Sequence, residues 1–481
     1  MDPDIARSVK RPTRMLSGVI VVAIMTKPYP CPHGKCIYCP GGPDYGTPQS
    51  YIGEEPALMR GIQTGFDPYL QFHLRLRQYE FLGHIPNKVD VVVMGGTFTA
   101  MPLDYQEWFI TNIYEAANRY PKPKPEVPPS LEEAQIRNET SSIRIIGLTI
   151  ETRPDVCKET HVNIMLKFGA TKVEIGVQSI YDDILRIIER GHSSKDIIEA
   201  TRILKDAGFK VAYHIMPGLP GSDPDKDLGM IRELFENQDF KPDMLKIYPT
   251  LVVEGTKLYE MWRRGIYKAL TDEEAVELIA KMYRYIPKWV RVIRIQRDIP
   301  AQLILAGPKK ANLRELVEKQ ALKMGIEINE IRFREVGRQA LYRGIKPSIV
   351  EITKEVYEAS KGVEIFLAAE DIENKVLVGL LRLRIPSSYA HRPEVDSRTA
   401  IVRELHVYGP QIPIGRYWES GWQHRGWGSK LLKLAEEIAR YEFGCTKILV
   451  LSGVGAREYY RKHGYDRPQG SPYMVKSLAN L

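Results

Sequence analysis

Short apolar, β-branched segments alternate with amphipathic ones through the first two-thirds of the chain, and this alternation narrows the fold most. Strand-like runs fall at residues 18–25, 89–94, 143–150, 172–177, 210–216 and 244–248. Helix-like stretches fall between them, at 67–82, 104–118, 154–168, 194–207 and 225–235. Strands that recur after a helix are joined by crossovers, and crossovers build parallel sheets. Six such units are too few for a closed eight-stranded barrel. The expectation is an α/β fold whose parallel sheet is either barrel-like or doubly wound, with active residues at the carboxyl ends of its strands.

The pattern changes near residue 283 and again near 346. Runs at 363–369 and 376–385 flank a turn at 371–375 and predict a hairpin. A strand (401–408), a helix (425–441), a strand (447–451) and a short helix (456–463) follow. This predicts a separate α+β domain over 346–481, an α/β core over 1–285 and a basic linker over 286–345. The proline-rich PKPKPEVPP after Tyr120 reads as a stiff surface insertion. Hydrophobic residues at 43% and charged residues at 27% exclude a disordered chain. The run at 18–25 is too short to span a bilayer, so a soluble, cytoplasmic protein without membrane contact is expected.

Five cysteines do not make a disulfide scaffold, yet three fall within nine residues. Cys31, Cys36 and Cys39 form C-x4-C-x2-C in CPHGKCIYCPGG, directly after the first strand. Thiolates this close share a metal. Two readings stay open on spacing alone: zinc with His33 as fourth ligand, or a [4Fe–4S] cluster with one iron left for a small ligand. Cys157 and Cys445 stand alone and read as packing residues.

The net charge of +8 is unevenly spread. Residues 281–346 hold 16 Lys and Arg against 6 Asp and Glu, and the rest of the chain is slightly acidic. A basic segment of this kind suits a polyanion, although a solvated basic surface gives the same pattern. VRVIRIQR alternates apolar and basic residues, placing Arg291 and, with a slip in register, Arg294 and Arg297 on one strand face.

Near the other end, Gln423, Gly426 and Gly428 form Q-x-x-G-x-G just before an amphipathic helix. Glycines at a helix start free backbone N–H groups for a pyrophosphate. Tyr459 and Tyr460 follow on a short terminal helix, where packing is the plain reading. His406 lies within a strand and reads first as a core residue.

The cysteine loop after strand one resembles the radical S-adenosylmethionine superfamily, which implies a partial (βα)6 barrel and an open iron that chelates that cofactor. MGGT, with Gly95, Gly96 and Thr97, resembles the glycine pair that contacts its methionyl group. IETRPD, EIGVQS and MPGLPG set polar groups at further strand ends, with Glu151 and Gln178 as cofactor contacts. The superfamily's commonest spacing is C-x3-C-x2-C, so this loop is one residue longer. The C-terminal motif, with IVRELHVYG before it and AREYYRKHGY after it, resembles an N-acetyltransferase of the GNAT type, which implies that the Tyr459 and Tyr460 phenols stand near a thioester.

The pairing, carried by CPHGKCIYCPGGPD, VVMGGTFTAMPLDY, KVEIGVQSIYDD, LKIYPTLVVEGTKLYE and SGVGAREYYRKHGY, is similar from about residue 11 to the C-terminus to the Elongator catalytic-subunit family in its single-chain archaeal form. The resemblance implies a tRNA carboxymethyluridine synthase that uses a [4Fe–4S] cluster, S-adenosylmethionine, acetyl-CoA and an electron donor, with no obligate protein partner. It implies that Cys31, Cys36 and Cys39 hold the cluster and that Lys88 reaches acetyl-CoA from the first domain. Glu404, Leu405, His406, Val407, Trp427, Gly428, Ser429 and Tyr460 match the acetyl-CoA site. Eukaryotic members have a longer insert between the first two cysteines. Many members carry a longer N-terminal tRNA-binding region than the short basic stretch here (Arg7, Lys10, Arg11, Arg14), which implies weaker tRNA binding or a shortened chain. A lysine acetyltransferase with a structural Fe–S or zinc domain is the rival reading, since the C-terminal motif serves it equally. A non-catalytic tRNA-binding scaffold would need neither motif.

Overall fold

The computed structural model describes residues 16–409 and 425–479. Arg11, Arg14 and Gln423 lie outside the described residues.

Six parallel strands form in the expected places: β1 (Ile20–Met25), β2 (Lys88–Met94), β3 (Arg144–Thr152), β4 (Lys172–Gln178), β5 (Lys210–Ile215) and β6 (Met244–Ile247). A two-residue β7 (Val252–Val253) follows, and then β8 (Arg291–Ile295) pairs parallel with β6. The sheet therefore has seven strands in the order β1-β2-β3-β4-β5-β6-β8. The segment expected to be a basic linker thus holds the last strand of this sheet. VRVIRI has an ordinary strand alternation, and its arginines drew attention to charge instead. A short β9 (Ile304–Ala306) pairs antiparallel with β7.

The two faces of this sheet differ in chemistry. On the outer face Val22, Val91, Ile150, Ile175, Tyr213 and Ile247 have no exposure. They pack in one continuous core with residues of the helices Pro68–Phe81, Leu103–Arg119, Glu159–Lys167, Ser194–Asp206 and Pro224–Glu236. The inner face alternates with them and carries charged and small residues, such as Asp90, Thr149, Lys172, Glu174, Ala212 and His214. Parallel strands covered on both faces read as unbroken apolar runs. Alternation here marks an inner face that is not a packed core.

The C-terminal unit is a six-stranded sheet: β10 (Glu351–Ala359), β11 (Gly362–Asp371), β12 (Val376–Ile385), β13 (Thr399–Val407), β14 (Lys447–Val450) and β15 (Met474–Ser477). All neighbours run antiparallel except β13 and β14. Helix Trp427–Glu437 buries Leu431, Leu432 and Ala435 in this unit's core. β10 and β15 are edge strands that periodicity did not reveal; Glu, Lys and Thr on both faces of EITKEVYEA blunt that edge.

This unit closes the amino-terminal end of the half-barrel, where β2 to β6 begin. Gly453 and Gly455 lie so close to β3 that a Cβ on the first would collide with the Ile146 backbone and one on the second with the Cβ of Arg144. A charge network seals the seam: Arg384 pairs with Asp206 at 2.6 Å and Arg457 with Glu139 at 2.9 Å. Among the described residues, no helix is long and apolar enough to cross a membrane.

Candidate active site

At the carboxyl end of the sheet, the cysteine loop folds over the strand ends. One cavity is lined by Cys31, Cys36 and Cys39 together with Gly96, Thr97, Glu151 and Gln178. The glycine pair sits where a side chain could not. Gly95 has φ +135° and a Cβ there would clash with Thr26 Oγ1; Gly96 has φ +98°. The next residue, Thr97, then places Oγ1 3.3 Å from Cys31 Sγ. Gln178 ends β4 with φ +69°, a left-handed conformation costly for a non-glycine residue. Its buried Oε1 has no protein partner, as expected of an acceptor held for a ligand donor.

The three thiols suit a cluster better than a single zinc ion. A zinc ion with 2.3 Å bonds would draw tetrahedral sulfurs to about 3.8 Å of one another. Among the described residues, the trio of potential ligands meeting within 4.8 Å is instead Glu151, Glu174 and His214. The sulfurs are therefore spread more widely. His33 Nε2 lies 3.2 Å from Cys36 Sγ but is also 3.1 Å from Arg153 Nη1, whose N–H occupies its lone pair. Burial, with Arg153 and Arg190 adding repulsion, lowers the His33 pKa to about 3. Donors surround the sulfurs: Gln49 Nε2 to Cys39 Sγ at 3.1 Å and Arg190 Nη1 to Cys36 Sγ at 3.6 Å. Burial pushes the thiols of Cys31 and Cys39 up, so deprotonation needs a bound cation. Three protein thiolates with N–H donors and two guanidinium groups fit a cluster with one open iron.

The Glu151, Glu174 and His214 trio is not an open metal site, because the Lys246 ammonium occupies it. It lies 3.1 Å from Glu151 and is paired with Glu174, which also bonds His214 Nε2 at 3.0 Å. Arg153, Arg190, Glu174, His214 and Lys246 were not singled out from the sequence. The alternation of KVEIGVQ and KVAYHI was the signal that could have found the inward-facing ones.

Arg294 and Arg297 line the same cavity. Arg294 is paired with Asp298, and Arg297 donates to the Ser50 carbonyl at 2.5 Å. Arg291 does not join them. Its guanidinium is paired with buried Glu335 and lies 3.4 Å from Tyr408 Oη, so it braces the base of the sheet against the second domain.

The second site lies on the C-terminal unit. β13 and β14 pair only from Thr399 to Val402 and then part. The β13 edge from Glu404 to Val407 faces this opening, and Leu405, His406 and Val407 are half-buried along it. The Glu404 side chain itself is spent on Arg382 at 2.7 Å. His406 Nε2 lies 2.7 Å from the Ser17 carbonyl, and its ring stacks on Tyr408. Gly426, with φ +81°, starts the helix Trp427–Glu437, and Gly428 packs against the Tyr459 phenol. Ser429 Oγ lies 2.8 Å from His463 Nε2. Tyr460 is 6% exposed within the core, and burial raises its pKa. Lys88 starts β2, and burial lowers its pKa to about 8.

The chain matches the Radical SAM superfamily over residues 27–234, the Radical_SAM C-terminal domain over 242–323 and the Acetyltransferase (GNAT) family over 340–465. It is 54% identical to a tRNA uridine(34) acetyltransferase of Methanocaldococcus jannaschii, over 98% of this chain and 86% of that one. It is 46% identical to the Homo sapiens Elongator complex protein 3, over 97% of this chain and 86% of that one. The structure of the archaeal Methanocaldococcus infernus Elp3 with residues 1–46 deleted superposes with a TM-score of 0.84 at 48% identity, covering 96% of this chain and 100% of that one. A thiolate pocket on a radical SAM half-barrel, a GNAT unit closing its base and identity over almost the whole length place this chain in the family of tRNA uridine(34) acetyltransferases and Elongator complex protein 3.

Proposed function

We propose that this chain is a tRNA carboxymethyluridine synthase acting on carbon 5 of the anticodon wobble uridine. The observation that carries the reading is that one chain holds both a three-thiolate pocket and a pair of parted strands suited to an acyl-CoA arm. A lysine acetyltransferase would leave the thiolate pocket, with its orphaned Gln178 acceptor, without a role.

Cys31, Cys36 and Cys39 would hold the [4Fe–4S] cluster, and Gly95, Gly96, Thr97, Glu151 and Gln178 would hold S-adenosylmethionine. Gly426 to Ser429 would bind the coenzyme A pyrophosphate through backbone N–H groups. The β13 edge at Glu404 to Val407 would pair with the amides of the pantetheine arm. Lys88 and the phenols of Tyr459 and Tyr460 are the candidate donors to the acetyl carbonyl. Arg294 and Arg297 would meet tRNA phosphate at the cluster pocket. When bound, the cofactors supply a hydrogen-abstracting 5′-deoxyadenosyl radical and a two-carbon unit. A low-potential electron donor and a cytoplasmic location accompany a tRNA substrate.

Ordinary acyl transfer cannot make a carboxymethyl group, because uridine carbon 5 is not an amine-like nucleophile. The reading therefore expects hydrogen to leave the acetyl methyl group. With methyl-deuterated acetyl-CoA, S-adenosylmethionine, reduced protein and tRNA, deuterium should appear in 5′-deoxyadenosine and carboxymethyluridine in the tRNA. Deuterium-free 5′-deoxyadenosine during productive turnover would overturn the mechanism.

A further inference from the structure

The two sites lie at opposite ends of the same strands. Lys88 opens β2, and Gly95 and Gly96 follow its last residue; seven residues at about 3.3 Å each put roughly 20 Å between them. Reacting atoms must meet within about 3–3.5 Å. If the function proposed above holds, the two-carbon unit must cross the length of the half-barrel.

The inner face offers the route. Lys88, Lys172 and Lys210 each begin a strand and face inward at the end closed by the acetyltransferase unit. Burial lowers the Lys210 pKa, and Glu404 and Asp90 support its charge. Halfway along stands Glu174. Lys172 lies 3.4 Å from it on one side, while Lys246 and His214 hold it on the other. Solvent reaches the side chains of Lys172 (12% exposed) and His214 (14%), but not Glu174 between them (1%). Thr149, in register with Lys172, has a buried Oγ1 without a protein partner. In register with Glu174 stands Ala212, which puts only a methyl group on that face. An interior of this kind is not the interlocked layer of branched residues that fills a closed barrel.

We propose that the inner face of the half-barrel is a passage for the two-carbon acyl unit, from the acetyltransferase site to the cluster pocket, with Glu174 as its gate. The unit offers carboxylate or thioester oxygens that lysine ammonium groups hold in turn, and a carboxylate would compete with Glu174 for Lys172.

The test places an obstruction at mid-passage. Ala212→Phe should leave acetyl-CoA binding and acetyl-CoA-independent 5′-deoxyadenosine formation unchanged, while carboxymethyluridine falls about 100-fold, the scale set by misplaced reactants. Ala212→Val, a smaller obstruction, should give an intermediate loss and serves if the Phe variant fails to fold. Wild-type product yield in a folded Phe variant would overturn the passage. A second readout needs no turnover. In crystals of the full chain soaked with 3-bromopropanoate, anomalous bromine density should lie beside Lys172 or Lys210, and its absence from the inner face would also overturn the proposal. If wild-type protein makes no carboxymethyluridine, the proposed function fails and the soak still decides the passage. An excess of unlabelled acetate during turnover of labelled acetyl-CoA separates the two carriers: dilution of label in tRNA means free acetate crosses, and undiluted label means the thioester arm does.

Discussion

Arg403 of the acetyltransferase unit and Asp243 of the half-barrel form a two-pronged ion pair, with Nη1 and Nη2 at 2.8 and 2.7 Å from the two carboxylate oxygens and no exposure on either side. Glu364 accepts from the same guanidinium at 2.7 Å. A buried charge left without its partner costs about 3–5 kcal/mol. Arg403→Met should lower stability by that amount and split a single calorimetric transition into two, as the domains lose their common anchor. An unchanged, single transition would show that the apolar seam alone couples them.

Cys36 accepts from Arg190 and is one of only three thiols in the pocket. Cys36→Ser should therefore remove iron and sulfide from anaerobically reconstituted protein and abolish S-adenosylmethionine cleavage. Stoichiometric zinc with no iron in the wild type would contradict the cluster.

The three arginines of VRVIRIQR should separate in their effects. Arg294→Gln with Arg297→Gln should flatten the salt dependence of tRNA binding, by roughly 0.7–0.9 in log–log slope for each phosphate no longer neutralised. Arg291→Gln should instead lower thermal stability with the slope unchanged, because it strips a partner from buried Glu335. Binding titrations between low and moderate salt distinguish the two groups.

Asp227 is 4% exposed beneath the loop after β5, where it accepts from Gly218 N and Ser222 Oγ, each at 2.7 Å. Burial raises its pKa to about 6, above its usual 3.8. The folded state then binds more protons than the unfolded one between these values. Stability should fall as pH rises from about 4 to 6, by an amount on the order of 1–3 kcal/mol. Asp227→Asn should be more stable than wild type at pH 7 and lose that part of the pH profile in denaturant titrations.

Much of this architecture was legible in the sequence because strand and helix periods are local. β1 to β6 and the hairpin of β11 and β12 fell within a few residues of expectation. The cysteines, the glycine pair and the helix-start glycines stood out by their spacing, although spacing alone left the metal of the three thiols open. Arg291 could not be read, since its partner Glu335 is 44 residues away and a charged strand residue looks the same whether paired or free. Glu174, His214 and Lys246 were missed for a similar reason. Each lies in a different strand, and only the register of β4, β5 and β6 brings them together. Tyr459 and Tyr460 are neighbours in sequence, yet one lies against Gly428 and the other in the core.

The two faces of the parallel strands also bear on how such an enzyme can change. Outward positions such as Val91, Ile175 and Tyr213 answer to helix packing, and replacing them disturbs the core. The alternate inward positions carry little of that burden, so new side chains can be tried there, strand by strand, without dismantling the scaffold. A half-barrel built this way keeps its foundation and its chemistry on separate residues, and its catalytic repertoire can drift while its fold stands still.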